Sequence, residues 1–353
     1  MPSRSVQLII VLLCTSLGVL YLAARAPGAQ TTVLSRWALT AAMAAQPAGE
    51  GLSGGQAEAR SLAGLALPVP ASGEQLAAFN RDSVLHDRVA GGLVEYYRRS
   101  IAGGELIYSV VRLDDRVHIE VINADGAIPG SDAGGDTIWT DGQRHLRPVV
   151  EMANAPYAVR PGMELLWAMA FGFHGAVRTS NEGSVVINGV VHRVNPGRGA
   201  LCITADHQAM IGLFDAQQLQ GCWQAVGGGP VILWKGKIAN PAVTAATDEF
   251  LPFNPLNEDF VQLDWRITIY SGTFPKTAVC VGALPGGRAF LVLANATGIS
   301  GVDVARALRD MGCQDALGGD DDTSTQAVWR GQALWAREQR PVPDAIGVYV
   351  RHE

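Results

Sequence analysis

Reactive side chains are most concentrated in a loop of three consecutive aspartates followed by two hydroxyl residues. The loop reads Asp320-Asp321-Asp322-Thr323-Ser324 and follows two glycines. Repulsion between neighbouring carboxylates is expected to raise the pKa of Asp320, which suits it to proton transfer. The same oxygens are typical ligands of Ca²⁺ or Mg²⁺, so a divalent cation held by the three aspartates is an alternative. A solvated acidic turn is the third interpretation.

A second candidate feature is the run Gly227-Gly228-Gly229. Successive glycines can turn their backbone N–H groups toward a phosphate, as anion-binding nests do. They also occur in tight turns that require a positive φ. Both interpretations stay open at this stage.

The elements on either side of the aspartate loop are expected to hold it in place. Ser300 followed by Asp303 resembles a helix N-cap. Val304, Leu308 and Met311 then share one helix face, and Gly312 is a C-terminal stop. A short strand at 315–317 leads into the loop, and 326–329 leads out of it. Loops held between such rigid elements often carry function.

The rest of the chain after residue 80 predicts an α+β domain with a mixed, largely antiparallel sheet and packed helices. Apolar residues at helical spacing favour a helix over 79–100. Residues 106–111 and 117–121 are predicted to be strands joined at Asp114-Asp115. Hairpins are predicted around Asn188-Gly189, between 200–204 and 210–213, and between 277–283 and 289–294.

Composition excludes several classes of protein. The chain has 353 residues, 48% of them hydrophobic, and a formal net charge of −6. That is long enough for a sizeable core. The net negative charge argues against a nucleic-acid binder, which needs a basic face to neutralise phosphates.

The N-terminus predicts export. Residues 5–24 carry no charge and would span about 30 Å as a helix, the thickness of a bilayer core. Residues 1–25 are therefore expected to be a signal anchor or a cleaved signal peptide. Residues 26–80 are rich in Ala, Gly and Pro and predict a tether, followed by a domain at 81–353. The protein is expected to be anchored in the inner membrane and face the periplasm, or to be secreted.

Cysteine content fits that location. Cys202, Cys222, Cys280 and Cys313 follow the N-terminal segment. An even number permits two disulfides in an oxidising compartment, with three possible pairings. Four small buried thiols are the alternative.

Three segments together resemble the phosphodiester glycosidase domain family. The first runs Gln224-Ala225-Val226-Gly227-Gly228-Gly229-Pro230-Val231-Ile232-Leu233 and ends at Gly236-Lys237. The second is Pro275-Lys276-Thr277-Ala278-Val279. The third runs from Gly298 to Gly312 and on through Asp315-Ala316-Leu317 to the aspartate loop. The resemblance extends from about 108 to 331.

The resemblance implies an exported hydrolase that cleaves a sugar from a phosphodiester, with a glycan of the cell envelope or an extracellular polysaccharide as substrate. The chain departs from the family pattern at three places. Phe171 stands where the family has asparagine, and Lys276 where it has arginine. Asp321 and Asp322 replace a glycine pair.

The resemblance also implies roles for individual residues. Asp320 would act on the sugar or on water, and His174 would be an acid/base, a substrate ligand or a structural histidine. Lys276 and the backbone of 227–229 would bind the phosphate, Lys276 as a point charge without the fork of an arginine. Its alternative is a surface lysine. Arg178 and Arg198 are alternative phosphate contacts. Thr323 and Ser324 would hydrogen-bond the sugar or phosphate, or instead cap the local backbone.

Two kinds of function therefore remain open. The first is an exported phosphodiester glycosidase that needs no cofactor. The second is a non-catalytic member of the same fold that binds a glycan or an envelope partner, favoured by the departures from the family pattern. Either would contact the membrane only through the N-terminal helix and would not bind nucleic acid.

Overall fold

Three β-sheets account for most of the architecture. The computed structural model describes residues 73–124, 146–173, 182–335 and 339–352, which all belong to one unit, 59–353. The first sheet has nine strands in the order β1-β2-β3-β15-β14-β16-β11-β12-β13. Two five-stranded sheets follow, β7-β6-β10-β8-β9 and β18-β17-β5-β19-β4. Only the pairing of β12 with β13 is parallel among the described strands.

The strands of the first sheet are β1 Val84–Val89, β2 Val94–Ile101, β3 Gly104–Arg112, β11 Val231–Trp234, β12 Lys237–Asn240, β13 Phe250–Pro252, β14 Lys276–Ala283, β15 Ala289–Thr297 and β16 Asp315–Gly318. Those of the second are β6 Val185–Ile187, β7 Val190–Arg193, β8 Gly199–Ile203, β9 Ala209–Leu213 and β10 Gln224–Gly227. Those of the third are β4 Val117–Asn123, β5 Met163–Ala170, β17 Ala327–Trp329, β18 Gln332–Ala333 and β19 Asp344–Arg351.

Five α-helices occur in the described ranges: α1 Gly73–Arg81, α2 Val149–Ala153, α3 Ala216–Leu219, α4 Leu263–Ser271 and α5 Gly301–Asp310. The predicted α+β class and the largely antiparallel sheet are confirmed, although strands dominate over helices. Residues 1–72, which include the expected anchor and most of the expected tether, lie outside the described residues. No helix in the described part of the chain is both long and apolar enough to span a membrane.

The nine-stranded sheet is buried on both faces. Along β14, Val279 and Val281 pack in a core shared with the two smaller sheets, whereas Ala278 and Cys280 pack in a second core with α1 and α5. A strand covered on both faces needs no alternation of polar and apolar residues. That is why the central strands read as continuous apolar runs.

The three predicted hairpins are confirmed. Asn188 and Gly189 both have positive φ, 51° and 76°, as a two-residue turn of a β-hairpin requires. The strand pairs β8–β9 and β14–β15 are antiparallel neighbours. The strands predicted on either side of Asp114-Asp115 exist, but they enter different sheets, so this connection crosses from the first sheet to the third.

The helix predicted over 79–100 was wrong. This stretch holds the end of α1 and then β1 and β2, an antiparallel pair. Ala90, Gly91 and Gly92 have positive φ and break the chain between the strands. Because β1 has a bulge and lies largely exposed at the sheet edge, its apolar spacing does not show a period of two.

The four cysteines form two disulfides, so the alternative of four free thiols was wrong. Cys202 of β8 pairs with Cys222, which lies between α3 and β10, with their Cα atoms 5.5 Å apart. Cys280 of β14 pairs with Cys313, just after α5, at a Cα separation of 5.9 Å. The second bridge joins α5 to the sheet beneath it.

The helix α5 has the predicted ends. The Ser300 hydroxyl accepts a hydrogen bond from the Asp303 amide at 3.2 Å, and Gly312 has a φ of 91° after the last turn. Val304, Leu308 and Met311 are buried against the nine-stranded sheet. This helix and β16 together deliver the chain to the aspartate loop.

We expect Ser300→Ala to lower the free energy of unfolding by about 1 kcal/mol, because the Asp303 amide loses its acceptor. Ser300→Thr keeps a hydroxyl at the N-cap and is the matched control. Urea denaturation of both variants measures the difference. Equal stability of the two variants would show that the cap contributes nothing.

Candidate functional site

Three segments that are distant in sequence meet at the aspartate loop (residues 319–324) and at Gly318, which precedes it. The Asp320 amide donates to the Phe171 carbonyl at 2.7 Å, and the Gly229 amide donates to the Gly318 carbonyl at 2.8 Å. The Asp321 carboxylate accepts from the Thr277 amide, also at 2.8 Å. The segments singled out in the sequence therefore lie side by side.

The loop begins where β16 ends, between β14 and β11 in the nine-stranded sheet. The Gly319 amide donates to the Thr277 carbonyl at 2.9 Å. A Cβ atom at Gly319 would lie 2.9 Å from side-chain atoms of both Phe171 and Thr277, so only glycine fits there. The chain then makes a single 3-10 turn at Asp322–Ser324, with Asp322 at a φ of 58°.

Asp320 is a partly buried carboxyl group with a raised pKa. Burial raises the pKa to about 6, while the Ser324 hydroxyl beside it and the positive charges of Arg266 and Arg340 lower it. At neutral pH a group with this pKa changes its protonation state readily, which is the property required of a general acid or base.

Asp321 is held still more firmly in the uncharged form. Burial, and to a smaller extent the charge of Asp320, raise its pKa to about 7. Lys276, the Thr277 amide and Arg266 act in the opposite direction. The expected repulsion between the aspartates therefore raises the pKa of Asp321 and not that of Asp320, whose raised pKa is due to burial.

Lys276 is buried rather than on the surface, so the surface-lysine alternative was wrong. Only 3% of the residue is exposed. Its ammonium donates to the carbonyls of Gly272, at 3.0 Å, and of Phe274. An ammonium has three N–H donors, so at most one is left for a ligand. Burial lowers the pKa of Lys276, while Asp321 and Asp322 raise it.

The backbone of the glycine turn (residues 227–230) is hydrogen-bonded to three other segments of the chain. The amides of Gly227, Gly228 and Gly229 donate to backbone carbonyls of Ser184, Gly199 and Gly318, at 2.7, 2.9 and 2.8 Å. Pro230 has no N–H to offer. In this structure the turn thus presents none of the free amides that a phosphate nest would need, and the expectation that these three glycines bind phosphate through their amides is corrected.

The remaining expected site residues have different locations. Ser324 is buried beside Asp320, and Thr323 is exposed at the tip of the loop. Arg198 is buried, and its guanidinium donates to the Gly228 carbonyl at 3.2 Å. His174 and Arg178 lie outside the described residues.

Two arginines and two phenylalanines beside the loop were not foreseen as a group. The Arg266 guanidinium carbon lies 3.7 Å from the centre of the Phe173 ring, and that of Arg198 lies 4.1 Å from the centre of the Phe260 ring. Such stacked pairs are favourable cation–π contacts. Arg266 and Phe260 stand outside the three family-like segments, so no local pattern could have revealed them.

Glu258 is a second buried carboxyl group near the glycine turn. It accepts hydrogen bonds from the amides of Gly199, at 2.9 Å, and Val231, at 2.7 Å. Burial raises its pKa, and Arg198 lowers it. Since both oxygens are occupied by backbone amides, its role is to hold the glycine turn against β8.

The divalent-cation alternative for the three aspartates is not supported. Asp321 already accepts from a backbone amide. Across the described residues, no group of three or more His, Cys, Asp or Glu side chains is arranged to hold a metal ion.

The family is decided by a match to the phosphodiester glycosidase family model over residues 165–349. This chain belongs to the phosphodiester glycosidase family. The match covers more than half of the chain and includes the glycine turn, Lys276 and the aspartate loop.

Solved structures agree on the fold. The catalytic domain of zebrafish N-acetylglucosamine-1-phosphodiester alpha-N-acetylglucosaminidase, auto-inhibited by its pro-peptide, has a TM-score of 0.50 at 17% identity. The alignment covers 74% of this chain and 82% of that one. A hypothetical protein from Synechocystis also has a TM-score of 0.50, at 14% identity over 73% of this chain. The chain spans 62% of the Synechocystis protein. No curated protein sequence matches the chain.

The raised carboxyl pKa values predict how stability depends on pH. Asp321 has a folded-state pKa of about 7, above the ordinary value of 3.8, so folding binds a proton between these values. Its contribution is therefore most favourable below pH 4 and is lost as the pH rises toward 7. We expect Asp321→Asn to be more stable than the parent at pH 7.5, by on the order of 2 kcal/mol, and to lose this advantage at pH 4.

Urea denaturation between pH 4 and 8 measures this effect. Asp248→Asn, the same change at an exposed aspartate, is the matched control. If the parent and Asp321→Asn changed in parallel over this range, Asp321 would not be the group that titrates.

Proposed function

We propose that the protein is a hydrolase that cleaves a sugar from a phosphodiester, with the aspartate loop as its reactive centre. The observation that supports this most directly is the position of Asp320. Its backbone is hydrogen-bonded to Phe171, its side chain lies beside Ser324, and its pKa is about 6. Asp320 also matches the family aspartate in a chain that belongs to the phosphodiester glycosidase family.

The two neighbouring aspartates can divide the chemistry between them. With pKa values of about 6 and about 7, the pair holds close to one proton near neutral pH. The more acidic group, Asp320, is then the carboxylate that acts on the anomeric carbon or takes a proton from water. Water replaces the phosphate oxygen on the sugar, and the phosphate leaves as a monoester.

The acidic loop is also compatible with an anionic substrate. Lys276, Arg266 and Arg340 act electrostatically on the aspartates. Three formal positive charges therefore face three formal negative ones, and protonation of Asp321 leaves the balance positive. A phosphodiester with a single negative charge would not be repelled.

We further propose that the protein is exported, and that its substrate is a glycan of the cell envelope or an extracellular polysaccharide. The uncharged segment at 5–24 and the Ala/Gly/Pro-rich stretch that follows support a signal anchor or signal peptide and a tether. Two disulfides support an oxidising compartment such as the periplasm or the exterior. His174, Arg178, Thr323 and Ser324 remain proposed contacts of the substrate.

A non-catalytic, glycan-binding role is the second candidate. It is favoured by the inward orientation of Lys276 and by the backbone hydrogen bonds of the glycine turn, which remove two expected phosphate contacts. Binding of a sugar phosphodiester with no turnover by the unaltered protein would support this candidate.

We expect Asp320→Asn to lower kcat by roughly a hundredfold or more, because the amide can neither accept a proton nor attack the sugar. The assay uses a panel of sugar 1-phosphate methyl diesters, with release of the free sugar as the readout. Asp310→Asn, on the exposed surface of α5, is the matched control and is expected to keep full activity. A folded Asp320→Asn variant with unchanged kcat would refute the role of Asp320.

A further inference from the structure

Arg266 occupies an unusual position beside the aspartate loop. It lies on α4, the helix that directly precedes the segment containing Lys276. Its guanidinium carbon is in van der Waals contact with the face of Phe173 and lies 5.9 Å from the centre of the Phe260 ring. Stacking on one face leaves the edge of the guanidinium, which carries the N–H groups, open to a ligand.

The guanidinium of Arg266 has no acceptor among the described residues. Within the described ranges, no carboxylate lies within 4.0 Å of it and no carbonyl accepts its N–H groups, although the residue is partly buried. The neighbouring Arg198 differs, because it donates to the Gly228 carbonyl and lies 3.6 Å from Glu182. None of its nitrogens is among the fully buried polar atoms without a partner, so they keep access to solvent and their N–H donors are available to a ligand.

Electrostatics place Arg266 next to the reactive carboxyl groups. Its charge lowers the pKa of both Asp320 and Asp321, yet it forms no ion pair with either. The guanidinium therefore lies more than 4.0 Å from both carboxylates, although its charge still acts on them. Arg198 is a like charge close to Arg266, but nearby carboxylates, chiefly Glu258, already offset its charge.

We propose that Arg266, stacked on Phe173, binds the phosphate of the substrate through the edge of its guanidinium. This inference rests on the proposed function and names the residue that recognises the charged half of the substrate. Two parallel N–H groups match the two non-bridging oxygens of a phosphodiester. Arg266 would thus provide the bidentate contact that Lys276 cannot make, since the Lys276 ammonium is committed to the carbonyls of Gly272 and Phe274.

The test compares Arg266→Gln and Arg266→Lys with Arg306→Gln, a matched change on α5, where Arg306 pairs with Asp303 at the surface. Each variant is assayed on a sugar 1-phosphate methyl diester and on the 4-nitrophenyl glycoside of the same sugar, which carries no phosphate. Binding of the diester is also measured by calorimetry in the Asp320→Asn background, where turnover does not interfere.

We expect Arg266→Gln to raise KM and Kd for the diester roughly ten- to a hundredfold, the effect of losing charge-assisted hydrogen bonds. Arg266→Lys should recover only part of that loss. Arg306→Gln should keep the KM and Kd of the parent protein. The neutral glycoside should show the same KM with all variants, because it has no phosphate to bind. An equal loss on both substrates would show that Arg266 acts through the aspartates or the fold, and would overturn the proposal.

Failure of this inference and failure of the proposed function give different results. If the parent protein hydrolyses the diester and Arg266→Gln does so with an unchanged KM, the function stands and the role of Arg266 is refuted. If the parent binds the diester without hydrolysis and Arg266→Gln loses that binding, the phosphate site stands and the hydrolase proposal fails.

Discussion

Backbone hydrogen bonds around the end of β16 are the interactions on which the candidate site depends. Gly318 accepts from Gly229, Asp320 donates to Phe171, and Gly319 donates to Thr277. Each such bond stabilises a fold by only about 1 kcal/mol, but a buried amide left without a partner costs more. None of them uses a side chain. The geometry can therefore persist although side chains at positions 171, 276, 321 and 322 depart from the family pattern.

Burial of charge is the second constraint. Asp320 and Asp321 lie where solvent reaches them poorly, and their raised pKa values are the physical consequence. Lys276 is buried beside them and has a lowered pKa for the same reason. Burial thus disfavours the charged form of all three groups. Burying these groups lowers the free energy of unfolding slightly and brings the pKa of both carboxyl groups close to neutral pH.

The positive charges at the site are divided between two tasks. Lys276 is turned inward and supports the backbone that leads into β14, where it also offsets the charge of Asp321. Arg266 is stacked on an aromatic ring, and no residue in the described part of the chain accepts a hydrogen bond from it. Two donors of Lys276 are used by backbone carbonyls, whereas those of Arg266 have no acceptor among the described residues. Of these two cations, Arg266 is therefore the one suited to bind a ligand.

Local sequence was sufficient wherever short-range chemistry decides the structure. The hairpin turn at Asn188-Gly189, the Ser300 cap and the Gly312 stop depend on backbone preferences of single residues, and the order of three short segments was enough to indicate the family. Only the tertiary structure paired the cysteines, turned Lys276 inward and occupied the amides of 227–229. Those outcomes depend on which distant groups become neighbours and how far water is excluded, and neither quantity is encoded in any stretch of a few residues. The stretch 79–100 failed for the same reason, because the apolar spacing of an exposed, bulged edge strand acquires its meaning only from the strand beside it.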